Sequence, residues 1–98
     1  MKVKYLPSAI PDLDWFKRYY AFSFPEGARK ASASVMKARK LLADHPMIGR
    51  PSRFVGKREL VIGNTPFKFV YAVGKERVEI YRLIDTRSDD PEFWLTEE

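Results

Sequence analysis

The sequence predicts an α+β fold in the order β-α-α-β-β-β, with a helical hairpin packed on one face of a mainly antiparallel four-stranded sheet. Three observations predict it. Residues 57–87 alternate between two faces and are interrupted by two turn signals, Gly63-Asn64-Thr65-Pro66 and Gly74-Lys75-Glu76. Residues 28–42 carry apolar side chains at spacings of 3, 4, 3 and 4, the pattern of an amphipathic helix. Pro25-Glu26-Gly27 separates that helix from an earlier helical stretch. With 98 residues, 45% of them hydrophobic and 14% aromatic, the chain suits a single domain over 1–98 and is too apolar to be disordered throughout.

Taken in order, Lys2-Val3-Lys4-Tyr5-Leu6 alternates and stops at Pro7, which gives a short first strand. Ser8 is placed to cap the next helix, and Asp12 and Asp14 lie early in it, where the helix dipole favours carboxylates. Ile10, Leu13, Phe16 or Lys17, and Tyr20 give it one face, ending between Ala21 and Phe24. Trp15 and Phe16 are neighbours, so on a helix one of them turns away from the core toward a partner. In the second helix Ala28, Ala31, Val35, Ala38 and Leu42 form a seam of mostly small residues that permits close approach. Arg29, Lys30, Lys37, Arg39 and Lys40 occupy its outer face, and Asp44-His45-Pro46 ends it, because a residue before proline is pushed out of the helical region. Residues 47–56 read as a loop. Strands follow at 57–62, 67–73 and 77–84, and Pro91-Glu92-Phe93-Trp94-Leu95 reads as a short docked turn in the acidic tail 85–98.

Net charge is +5, unevenly spread. Residues 85–98 hold six acids against Arg87, so the remaining body carries a balance of +10. Such a body attracts polyanions, whether nucleic acid or an acidic protein, although solvated lysines give the same count. The absence of cysteine excludes a disulfide scaffold and a thiolate metal site. The longest apolar run, residues 69–73, is far too short to span a membrane, and the N-terminus lacks the apolar stretch of a secretory signal. A cytoplasmic protein is expected.

The three-strand unit is expected to gather Arg58, Arg82 and Arg87 on one wall, and clustered guanidiniums suit phosphate-rich or carboxylate-rich ligands. At these residues the chain resembles the RelE/ParE superfamily of toxins from bacterial type II toxin–antitoxin modules, often called plasmid stabilisation proteins. The resemblance spans nearly the whole sequence. It runs through Ala9, Asp12-Leu13, Gly49-Arg50-Pro51, Arg58-Glu59-Leu60, Pro66-Phe67-Lys68-Phe69-Val70-Tyr71, Ile80-Tyr81-Arg82-Leu83-Ile84 and Arg87. It implies a compact microbial RNase-like fold, an acidic antitoxin as partner, and no metal or other cofactor. It also implies one of two targets: mRNA on the ribosome, cut without metal, or DNA gyrase, inhibited by binding.

By the same resemblance Arg58 and Arg82 match functional basic residues of the ribonuclease branch. Asp85 stands where many relatives have histidine, and the late tyrosine of some ribonucleases has no counterpart, since Phe93 and Trp94 lack a phenol. Metal-free RNA cleavage needs a base, positive charge on the phosphorane, and an acid for the leaving oxygen. The catalytic candidates are therefore Arg58, Arg82, Asp85 and Arg87, with Lys57 as a candidate acid and Arg50 as a further cation nearby. An ordinary aspartate titrates near ~4, and adjacent arginines lower it further, which makes Asp85 a poor base and a good salt-bridge partner. His45, the sole histidine, sits at a helix end before a proline, where a capping role is favoured. On these grounds a ParE-like gyrase inhibitor is slightly favoured. The alternatives are a RelE-like mRNA endoribonuclease and a non-toxic binding relative of the same fold.

Overall fold

A computed structural model describes residues 1–86 of the chain; Arg87 and the expected turn around Phe93 and Trp94 lie outside them. β1 (Lys2–Tyr5) leads through a 3-10 turn, Pro7–Ala9, into α1 (Ile10–Arg18). A π-helical turn, Tyr19–Ser23, and a second 3-10 turn, Pro25–Gly27, precede α2 (Ala28–Asp44). The chain then runs through β2 (Arg50–Pro51), β3 (Arg58–Val61), β4 (Phe67–Val73) and β5 (Arg77–Asp85). The sheet order is β1-β5-β4-β3-β2, with β1 parallel to β5 and every other pair antiparallel.

The sheet therefore has five strands where four were expected. The added one is β2, whose Arg50 and Pro51 pair with Glu59 and Arg58 in a segment that reads as loop. Two residues beside Gly49 carry no alternation to detect, and a proline without an N–H is tolerated on an edge strand. Ser8 also departs from expectation. It lies within the 3-10 turn, and its Oγ donates to the Tyr81 carbonyl at 2.8 Å instead of capping α1. Arg39 leaves the outer face of α2 to donate to the Val3 carbonyl at 3.2 Å, with its guanidinium 4.9 Å from the centre of the Tyr5 ring.

Alternation along β4 decides where the core lies. Phe67, Phe69 and Tyr71 face the helices and join Ile62, Val78, Ile80 and Leu83 in one buried cluster. The small seam of α2 meets them as expected: Ala31, Val35, Ala38 and Leu42 are all buried. Phe16 enters the same cluster, its ring 5.0 Å from that of Phe67, while its neighbour Trp15 stays 50% exposed. On the reverse face Val70 and Ile84 pack with Phe54. There Lys68 and Glu59 are buried as well, 3% and 7% exposed, with the ammonium 3.0 Å from a carboxylate oxygen. Among the described residues no helix is long and apolar enough to cross a membrane.

Candidate functional site

β1 ends at Tyr5, opposite Ile80, so β5 continues for several residues past the strand that covers its outer edge. Edge groups left this way need other partners. Ser8 serves the Tyr81 carbonyl, and the Asp12 carboxylate accepts the Leu83 N–H at 3.0 Å. The same carboxylate takes the Arg82 guanidinium in a two-point grip, Nε to Oδ2 at 2.6 Å and Nη2 to Oδ1 at 2.9 Å. The paired side chains are 17% and 12% exposed, so this contact is largely out of water, and removing either partner would leave a poorly solvated charge. Asp85 closes β5 opposite Phe67. Asp12, Trp15, Phe67, Arg82 and Asp85 together line an open cleft of about 130 Å³.

Arg58 is not part of that cleft. It pairs with Tyr71 on β4, whereas Arg82 pairs with Val70, the adjacent residue of the same strand. The β4–β5 register shifts between Val70 and Tyr71, and the guanidiniums end on different partners, Arg82 on Asp12 of α1 and Arg58 on the connection after α2. Arg58 Nη1 donates to the Gly49 carbonyl at 2.6 Å, which ties it to the connection after α2. Lys57 lies over the Tyr81 ring, with Nζ 4.4 Å from its centre. Arg50 extends into solvent with 73% of its side chain exposed and approaches Glu59 at 3.8 Å. His45 is the C-terminal cap of α2; its backbone N–H donates to the Leu41 carbonyl and its side chain is exposed. The structure thus brings Arg82 and Asp85 into one cleft and leaves Arg58 two strands away; Arg87 lies outside the described residues.

Three residues of this region escape sequence reasoning. Asp12 reads as a dipole-stabilising helix residue, and no local signal marks it as the partner of an arginine 70 positions later. Glu59 gathers Lys68, Arg50 and the Ser52 hydroxyl, the last donating at 2.8 Å. The Tyr71 hydroxyl donates to the Pro46 carbonyl and accepts the Gly49 N–H, both at 2.8 Å. Burial pushes that phenol above its usual value of 10, partly offset by the Gly49 N–H and the Arg58 charge.

Chemically, the cleft suits a phosphate badly. Its one guanidinium among the described residues, Arg82, is already held at both prongs, and an anion entering would meet the Asp12 and Asp85 carboxylates. Among the described residues no group of three or more His, Cys, Asp or Glu side chains could hold a metal. Next to the cleft lies a second depression that carries aromatic rings. Trp15, Arg18, Tyr19, Phe22 and Ser23 line a shallow groove, and Phe22, displayed on the π turn, is 82% exposed. Trp15 and Phe22 leave aromatic area open to solvent there.

Comparisons with known proteins agree on one direction. The family described as the ParE toxin of the type II toxin–antitoxin system parDE matches residues 3–90. A curated relative from Sinorhizobium fredii, "Putative toxin Y4kP", is 28% identical over 91 residues, covering 93% of this chain and 94% of that protein. A solved structure of the chromosomal ParDE TA system from P. aeruginosa superposes with a TM-score of 0.70 at 30% identity, covering 87% of this chain and 95% of that one.

Proposed function

The chain belongs to the ParE toxin family of type II toxin–antitoxin systems, and from that premise we propose that it arrests growth by binding DNA gyrase, not by cutting RNA. The observation that carries this reading is the two-point capture of Arg82 by Asp12. A ribonuclease of this fold needs that guanidinium for the phosphorane. Here its charge is neutralised by a partner that the fold itself requires, because Asp12 also satisfies the Leu83 N–H. Arg58, the other cation assigned to the reaction, is turned by its Nη1 toward the Gly49 carbonyl, away from the cleft that holds Arg82 and Asp85. A toxin that acts by binding loses nothing by these commitments.

The antitoxin of such a module must cover a surface of this chain, and the Trp15–Phe22 groove offers exposed aromatic area on a body with a +10 balance. An acidic antitoxin segment with apolar anchors matches both properties. The experiment is to express the chain without antitoxin and to measure plasmid supercoiling and mRNA integrity in parallel. Relaxed plasmid with intact message is the expected result. Rapid translation arrest with message cut in the ribosomal A site overturns the proposal and restores Arg82, Asp85, Arg58 and Arg87 as catalytic candidates.

A further inference from the structure

The connection between α2 and β3 combines two properties that seldom meet in a spacer: its backbone is fastened at many points, and its tips are apolar. Tyr71 bridges the Pro46 carbonyl and the Gly49 N–H. Arg58 holds the Gly49 carbonyl, and the chain lies so close to the sheet that a Cβ on Gly49 would stand 2.6 Å from both the Glu59 carbonyl and the Tyr71 hydroxyl. Farther on, the Ser52 N–H donates to the Lys57 carbonyl at 2.8 Å and the Lys57 N–H to the Phe54 carbonyl at 3.1 Å. The Ser52 hydroxyl, anchored on Glu59, accepts the Phe54 N–H. Gly56, at φ +78, makes the reversal into β3.

From this fastened backbone Met47, Ile48 and Val55 project with 61%, 47% and 95% exposure. Val55 is the most exposed large apolar side chain among the described residues. Residues 46–57 also contain Arg50, Arg53 and Lys57 and no acid. A connection needed only for reach would carry polar tips and a looser backbone.

We propose that residues 46–57 form a preformed recognition loop for the toxin's protein target, a surface with carboxylates around an apolar hollow. The inference rests on the reading that the chain acts by binding a target protein, and it supplies the surface for that binding. Holding the loop in place before the encounter removes the ordering cost that a flexible segment would meet on binding. The three cations steer it toward an acidic face, and the apolar tips add close packing once there. A single-stranded nucleic acid fits less well. Stacking needs exposed aromatic rings, and the one ring of the segment, Phe54, packs inward on Val70 and Ile84.

The test compares Met47→Asp and Val55→Asp with Met36→Asp, a substitution at an equally exposed apolar residue on α2. All three positions face solvent, so thermal melts should match the wild type and exclude unfolding. Each variant is induced in cells to follow growth arrest and is titrated, purified, into a supercoiling assay with intact gyrase. The two loop variants should need at least about 10-fold more protein for half-inhibition and should relieve growth arrest, the loss typical of an interface anchor. Met36→Asp should stay within about 2-fold of wild type. Loop variants that inhibit and arrest like the wild type overturn the proposal, as does an equal loss at Met36. Should wild-type protein arrest growth without touching gyrase, the gyrase reading fails, and the growth assay alone decides the loop. Arrest relieved by the loop variants keeps it; arrest unchanged removes it. A wild-type chain that arrests nothing removes both.

Discussion

Tyr71 joins the middle of the sheet to the connection after α2, and one phenolic oxygen makes both bonds. Tyr71→Phe keeps the ring and leaves the buried Gly49 N–H and the partly buried Pro46 carbonyl without this partner. The expected cost is about 1 to 3 kcal/mol, read as a lower urea midpoint. Burial also gives a pH signature. The folded state holds the phenolic proton more tightly than the unfolded chain does. That stabilisation is complete below pH 10, the ordinary value, and is lost as pH rises toward the raised folded value. Between pH 9 and 11, as a rough window around that value, stability should fall less steeply in Tyr71→Phe than in wild type. Tyr5, whose value burial also raises, leaves a residual slope in both. Equal slopes would show that the phenol is not the titrating group. The Glu59–Lys68 pair behaves differently. Lys68→Met leaves a carboxylate buried beside fewer cations and should cost about 3 to 5 kcal/mol, with much of it recovered when Glu59→Leu is added. Neither feature is legible in the sequence. Alternation assigns Lys68 to the face opposite Phe67 and stops there; whether that face is wet depends on Phe54 and on elements far along the chain. Likewise the period places Tyr71 in the core but cannot say where its hydroxyl ends.

At the scale of elements, the strands and helices with a strong period are the ones the sequence makes readable. β4 occupies residues 67–73 and α2 ends at Asp44, both where the pattern and Pro46 place them. The departures share one cause: a long-range partner outcompetes a local preference. Ser8 leaves a capping role for the β5 edge, Arg39 leaves the helix surface for β1, and Arg50–Pro51 becomes a strand because Arg58 and Glu59 lie alongside. The same competition hides half of the candidate site, since Arg82 and Asp85 are visible as chemistry but Asp12 is visible only as a helix residue. The docking of α1 on β5 can be tested at that residue. Asp12→Asn keeps an oxygen for the Leu83 N–H but leaves the Arg82 guanidinium without its counter-charge, and should cost about 3 kcal/mol. Asp12→Ala also uncaps the strand edge and should cost roughly a further 1 kcal/mol. Calorimetric melts of the two variants read the difference directly. Asp12→Asn also bears on function. If Arg82 were a phosphate ligand restrained by Asp12, that substitution should tighten RNA binding, whereas a purely structural arginine predicts no gain.

At the scale of the whole molecule, charge is segregated along the chain. Removing residues 88–98 deletes Asp89, Asp90, Glu92, Glu97 and Glu98 and no base, so net charge rises from +5 to +10. The body is small, with a radius of gyration of 13.0 Å, close to the screening length of about 10 Å at 0.1 M salt. At low ionic strength screening is weak, so five extra carboxylates in the same small molecule lower the positive potential of the body that a polyanion meets. The truncated chain should bind heparin or single-stranded DNA several-fold more tightly than the full chain at low salt. Its affinity should also fall more steeply as salt is added, because more counterions are displaced per complex. Near molar salt the two proteins should converge, since screening then confines electrostatics to contact distance. The charge difference also separates steering from anchoring at residues 46–57. Truncation should speed association with an acidic target while leaving the dissociation rate set by the apolar tips Met47 and Val55. Unchanged polyanion affinity after truncation, measured at low salt, would mean that the tail does not screen the body. The +10 surface would then have to be treated as permanently open to the antitoxin and to the target alike.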